Sequence, residues 1–342
     1  MNNLKLKVKQ GQVLAASPAR PVVAALRRTG NPGMIALAAF AALAALVPLL
    51  VTNPFLIAIG NLVLINAVVA ISLTLLLGTT GQLSLGHAAF YALGAFVSAN
   101  LSGHLGWPVY LTVPIAVVSV SLFGWGIARL FLRLSGYYLA VATLGIGLLL
   151  GIVLRNELKL SGGPDGMPVA PLEVFGKALS EQAWYWTFLA LLVLVIVAAN
   201  NLLRSPAGRA LRSLHDAEIA AKTSGVDTQA YKIKVFVFSC GLVGLMGALY
   251  GHYSAFITPA SASFVRSVEY VMMVVIGGIG SVPGAVIGAG IVTLLPNVLA
   301  GMEHYEILLI GCILLVTILF MPKGLVPTLQ KLANRISNKE RP

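Results

Sequence analysis

Arg204, Arg209, Arg212, Asp216, Glu218 and Lys222 crowd into residues 203–234, LRSPAGRALRSLHDAEIAAKTSGVDTQAYKIK, between flanks that are nearly uncharged. Ser205 followed by Pro206 has the order of a helix start: a hydroxyl cap, then a proline whose missing N–H costs nothing at the first position. Gly225 fits the stop. Between them Ala207, Leu211 and Leu214 make an apolar stripe, with Arg209, Arg212 and Asp216 beside it. The pattern predicts a capped amphipathic helix. It either meets a soluble partner or rests on lipid headgroups.

Three further stretches could carry function. Residues 78–87 read GTTGQLSLGH and open an otherwise apolar run. On a continuous helix Gln82, Gly86 and Ala89 share one face, as do Ser84, His87 and Tyr91. Such a stripe could line a translocation pathway or a broken-helix site. The competing reading is helix packing, with Ser and His bonded to neighbours and glycines permitting close approach. Gly277 and Gly280, in the GGIGSVPG turn at 277–284, are candidates for the same pathway. The SGGPDG loop at 161–166 has turn chemistry. Its Gly162, Gly163, Asp165 and Gly166 form either a docking surface for an external partner or a plain surface turn. G-x-x-G recurs at Gly78 to Gly81 and Gly277 to Gly280, a weak internal repeat or a coincidence of Gly-rich sequence.

Enzymatic readings fail on motif. QLSLG lacks the first Gly of a G-x-S-x-G elbow, and neither H-E-x-x-H nor a Gly-Lys-Ser/Thr phosphate loop occurs, so no ATP site of that type is expected in this chain. No metal-ligand spacing is seen. Cys240 and Cys312 sit in separate apolar runs and read as small buried residues. The charges lie at span ends rather than as pairs within spans, which argues against a proton- or sodium-driven carrier. Neutral oxygens can bind sodium, so a stand-alone channel or ion-coupled carrier stays open.

The elements that must position these residues are transmembrane helices. Hydrophobic residues make up 58% of 342 and charged residues 10%, against about 25% charged in soluble domains. The apolar runs are continuous and of the length that crosses a hydrocarbon core of roughly 30 Å. The fold class is therefore all-α, a polytopic helical membrane protein of about ten spans. The spans fall near 34–51, 55–77, 82–101, 107–131, 136–154, 184–203, 233–256, 268–279, 285–299 and 307–321. Spans 3 and 8 are the candidates for broken or re-entrant helices, the first because it starts polar, the second because it is short. A basic tail (1–33) precedes the membrane domain (34–321) and another (322–342) follows it.

With the N-terminus inside, every Lys and Arg of the 23 except Arg155, Lys159, Lys177 and Arg266 falls on the inner side. This satisfies the positive-inside rule. It makes 204–232 cytoplasmic and 155–183 external, with both termini cytoplasmic. The net charge of +12 belongs to loops and tails, so nucleic acid is not expected as a partner.

GRALRSLHDAEIAAKTSGV, 208–226, resembles the cytoplasmic coupling segment of ABC importer permeases, with Glu218, Ala220, Ala221 and Gly225 in the E-x-A-A-x-x-x-G core. GQLSLGHAAFYALGA (81–95), GYYLAVATLG (136–145), SGGPDG and VVIGGIGSVPGAVIGA (274–289) make the chain similar to the branched-chain amino acid ABC transporter permease family, LivM-type subunit, over about residues 55–325. The resemblance implies a non-enzymatic transport subunit of the bacterial inner membrane. Its implied partners are a second related permease in a heterodimer, two cytoplasmic ATPase subunits and an external substrate-binding protein. ATP and Mg would be bound by the ATPases and no cofactor by this chain. Residues 209–225 would transmit ATPase closure, the 161–166 loop would receive the binding protein, and the pathway would lie between the permeases near span 3 and 277–284. The substrate would be a branched-chain or related amino acid. A sibling importer for urea, short amides or aromatic acids would share the architecture.

Overall fold

The computed structural model describes residues 32–51, 53–131, 137–174, 176–298, 311, 315 and 324–328. Most of both basic tails, Cys312 and, apart from Gly311 and Leu315, the tenth expected span lie outside them. The chain forms two units, 1–44 and 45–342. The described part of the first is the start of α1 (Pro32–Leu50).

In the second unit α2 (Pro54–Thr80) begins where Asn53 accepts the Phe55 N–H, with Pro54 at the first position. It ends at Gly81, whose left-handed backbone (φ 67°) closes the helix. There follow α3 (His87–Gly103), α4 (Val109–Phe131) and α5 (Tyr137–Asn156). A compact loop comes next: α6 (Leu158–Ser161), a 3-10 turn (Gly163–Asp165), and strands β1 (Met167–Pro168), β2 (Glu173–Val174) and β3 (Lys177–Ala178). Next are α7 (Glu181–Arg204), the short helices α8 (Pro206–Asp216) and α9 (Glu218–Thr223), and the long α10 (Thr228–Ser254). β4 (Phe256–Ile257) and a 3-10 turn (Pro259–Ala262) lead into α11 (Phe264–Gly277), and α12 (Val282–Val298) follows.

Among the described residues five helices, α2, α4, α5, α7 and α10, are long and apolar enough to cross a membrane by length and composition. α10 is the post against which α3, α4 and α2 pack. Glycine makes the approach close. A Cβ on Gly247 would lie 1.9 Å from the Tyr91 carbonyl oxygen, and one on Gly94 2.2 Å from that of Gly244. Small residues serve this purpose in membrane helices, where dispersion rather than water expulsion drives packing.

α3 and α11 are shorter than these five. With 17 and 14 residues, they span only about 25 and 21 Å at 1.5 Å per residue. α3 runs parallel to α10: His87 bonds Ser239, and Ser98 bonds His252. The start of α3 is therefore level with the middle of the 27-residue α10. Leading into it, 82–86 is non-helical, where a helix was expected. Gln82 and Ser84 therefore share no helical face with Ala89 or Tyr91, contrary to the 3.6-residue reading. The αL residue Gly81 ends α2, and a Cβ on Gly86 would lie 2.4 Å from the Thr143 carbonyl oxygen, so the chain passes too close to α5 for a coil of helix there.

α11 starts at the same depth. β4 pairs antiparallel with β1, and Ala262 in the turn beyond packs with Ala89 and Ala92. The Ala88 N–H then donates to Ser267 Oγ at 3.2 Å. Two helices thus begin inside the helical layer with adjacent N-termini. Arg266 and Glu269 consequently lie half-way along α10. The sequence reading treated Arg266 as a lone external charge; in the structure it pairs with Glu269 on the first turns of α11.

Candidate functional site

The charged segment after α7 is a helical hairpin rather than one helix. Ser205 caps α8, its Oγ accepting the Gly208 N–H at 3.2 Å, with Pro206 at the first position. The helix breaks at Ala217 (φ −155°, ψ 85°) and restarts as α9. The macrodipole accounts for the break. An Asp at position 216 is disfavoured at a helix C-terminus, while Glu218 is favoured at a new N-terminus. Gly225 (φ 83°) lies beyond α9 and is needed for its conformation.

Leu211 and Leu214 are 1% and 3% exposed and turn the expected stripe inward, where α8 packs against α2 and α7. Arg209, Arg212, Glu218, Ala220 and Gly225 face outward, and Ala221 is buried. The side chain of Asp216 lies outside the described set. Ile219 is 82% exposed. A Cβ at Gly81 would lie 3.6 Å from His215 Nδ1, so α8 touches the corner from which 82–86 departs. Glu218 Oε1 accepts from Lys232 Nζ at 2.5 Å, fastening α9 to the first turns of α10.

The pathway candidates separate into two groups. Ser84, Gly86 and His87 are buried in protein. His87 Nδ1 bonds Ser84 Oγ at 2.8 Å and its Nε2 bonds Ser239 Oγ at 2.9 Å, between the rings of Phe90 and Phe236. Gln82 is 4% exposed, and both polar atoms of its amide lack a partner. Non-helical backbone at this depth must be satisfied by protein or by a cavity. Thr143 Oγ1 accepts the Leu85 N–H, and Ser267 Oγ that of Ala88.

Gly277 packs against Gly284, and Gly280 (φ 79°) is exposed. The two G-x-x-G turns touch: a Cβ on Gly78 would lie 2.4 Å from Gly280 Cα.

In the 161–166 loop the glycines are conformational. Gly162, Gly163 and Gly166 have φ of 73°, 70° and 82°. A Cβ on Gly166 would lie 2.2 Å from the Ile257 carbonyl oxygen. Ser161 is buried and donates to the Leu154 carbonyl oxygen. Asp165 points outward. The loop is thereby locked to β4, which leads down to α11. His252 adds a second tie, its Nδ1 2.7 Å from the Ala170 carbonyl oxygen.

Sequence reasoning missed Lys232, Ile219, Ser239, Thr143, Ser267 and the pair Arg266 and Glu269. Lone hydroxyls inside apolar runs were the available signal for three of them. The depth of Arg266 had none, since it depends on where the preceding segment runs.

In comparisons with known proteins, the family described as the permease component of the branched-chain amino acid transport system matches residues 55–318. The chain is 29% identical over 304 residues to the high-affinity branched-chain amino acid transport permease LivM of Escherichia coli, covering 80% of this chain and 72% of that one. Identity to LivH of the same organism is 27%, covering 76% and 90%. With BraD of Pseudomonas aeruginosa it is 25%, covering 76% and 91%. No solved structure matches. A hairpin of charged helices tied to a long apolar post, five membrane-length helices and a family match over 55–318 lead to one assignment: the chain belongs to the permease-component family of branched-chain amino acid transport systems.

Proposed function

We propose that the chain is the membrane-spanning permease subunit of an ATP-driven importer for branched-chain or related amino acids, in a bacterial inner membrane. It has about ten spans, the number that apolar runs of this length imply, with both termini cytoplasmic. ATP binding and hydrolysis reside on two partner ATPases, a second permease completes the pathway, and an external binding protein delivers substrate. The observation that carries the reading is the hairpin α8–α9. It presents Arg209, Arg212, Ile219 and Ala220 outward while Glu218 grips Lys232 of α10. A push received on α9 thereby reaches a helix that also holds the start of α3.

Asp165, beside the glycines Gly162, Gly163 and Gly166, offers the docking surface for the binding protein. The tie from that loop through β4 to α11 lets docking be felt at the place where the half-helices start.

Purification from native membranes, identification of the accompanying chains and uptake of labelled leucine, isoleucine and valine test the proposal. A second permease and ATPases are expected to copurify, and uptake is expected to stop when ATP is removed. Uptake by this chain alone, without an ATPase, would replace the importer with a stand-alone carrier.

A further inference from the structure

The charged pair Arg266 and Glu269 calls for a use. Nη1 of Arg266 lies 2.7 Å from Glu269 Oε2, and the two side chains are 35% and 23% exposed. They sit on the first turns of α11, half-way along the post α10, because Ser267 bonds Ala88 and the adjacent His87 bonds Ser239. A charge at bilayer mid-depth costs at least about 2.5–3.5 kcal/mol, and such residues face a bundle interior or a water-filled cavity. Tyrosines surround the pair. The guanidinium carbon is 5.7 Å from the Tyr270 ring centroid, Tyr270 is 6.1 Å from Tyr91, and Tyr91 is 5.7 Å from the half-buried Tyr250. Tyr270 is fully buried, with its hydroxyl beside the Arg266 guanidinium.

We propose that Arg266, Glu269 and Tyr270, at the meeting point of α3 and α11, form a subsite that holds the two charged ends of a zwitterionic α-amino acid in passage. The proposal rests on the importer reading and names the contacts within it. A zwitterion carries opposite charges on one small carbon centre, the same arrangement as the pair in mirror sense. The substrate carboxylate takes the guanidinium, whose five donors are only partly used by Glu269. The first turn of α11 adds its dipole on the same side. The ammonium takes Glu269. The Tyr270 hydroxyl can only accept from the guanidinium, so its own proton is free to donate to the carboxylate. Tyr250, half-buried and backed by Tyr91, gives a ring face to an apolar side chain. Because the pair neutralises itself when empty, binding is weak and exchangeable, as a passage site requires. A substrate with no charge, such as urea or a short amide, gains nothing from this arrangement.

Ligand-observed NMR on the purified, assembled importer, with the binding protein omitted, tests the site. The probes are millimolar leucine and its two singly charged analogues, 4-methylpentanoate and 3-methylbutylamine. Leucine is expected to bind, and neither analogue to displace it at equal concentration. The double variant Arg266→Gln with Glu269→Gln leaves no orphan charge, and assembly is checked by copurification of the partners. Its leucine affinity is expected to fall at least tenfold, and that of Tyr270→Phe three- to tenfold. Affinity within twofold of the unmodified complex in the double variant overturns the proposal, as does displacement by either analogue. If the double variant does not assemble, Tyr270→Phe decides alone, and unchanged affinity there overturns it. Failure of the importer reading registers separately, as absence of ATP hydrolysis in the unmodified preparation, while the NMR still reads leucine binding.

Discussion

Lys232 Nζ lies 2.5 Å from Glu218 Oε1, the lysine side chain 10% exposed and the glutamate 47%. Seven residues further along α10, on the same face, Ser239 bonds His87 at the start of α3. One face of one helix therefore joins the charged hairpin to the half-helix junction. Its far end reaches the loop between α5 and α7 through His252 and Ala170. A rigid helix held at three points along its length is suited to carry a displacement from one side to the other.

Replacing Glu218 with Ala leaves Lys232 buried without its partner. The pair is half exposed on the glutamate side, so the stability loss is expected to be only about 1 kcal/mol. The functional loss is expected to be larger: at least tenfold in leucine-stimulated ATP hydrolysis, with normal membrane insertion. Adding Lys232→Met removes the orphan charge and restores stability but not the coupling. Hydrolysis at the unmodified rate in Glu218→Ala would remove Glu218 from the coupling path.

Ile219 is a large apolar side chain with 82% exposure on a polar hairpin. Ile219→Asp is expected to leave the thermal midpoint of the chain unchanged and to reduce copurification of the ATPases severalfold. Full retention of the ATPases would show that the hairpin face presenting Ile219 is not their seat.

A Cβ on Gly247 would lie 1.9 Å from the Tyr91 carbonyl oxygen, while one on Gly126 meets nothing within 4 Å. Gly247→Ala is expected to lose about 1–3 kcal/mol through overpacking, and Gly126→Ala is expected to be neutral. Thermal unfolding in detergent compares them directly. Equal midpoints would mean that α3 and α10 can separate without penalty.

The distribution of Lys and Arg sets an orientation that reporter fusions read. A fusion after Ala178 is expected to report the outside and one after His215 the inside. The opposite pattern inverts the orientation.

Much of this molecule is legible residue by residue. Apolar runs of membrane length announce helices because each turn satisfies its own backbone, which hydrocarbon demands. Ser205, Pro206 and Gly225 mark their boundaries through local hydrogen bonding and φ preference, and the structure uses all three. The 161–166 loop is recognisable as a turn for the same reason. Less was legible at 82–86. Its polar composition flagged a special segment, but a helical period was assumed where Gly81 ends α2 and Thr143 of α5 takes over the backbone bonding.

What the sequence determined by itself is the class of molecule, the helix caps, the charged helical segment and the family, all set by composition or by contacts within a few residues. The tertiary structure alone decided depth and partnership. Arg266 and Glu269 looked like separate charges in sequence, yet β4 and the 3-10 turn bring them together beside the start of α3, level with the middle of α10. Lys232 looked like one more basic loop residue until Glu218 of α9 met it on α10. Such positions depend on where non-local segments pack, and no periodicity within a single stretch encodes that path.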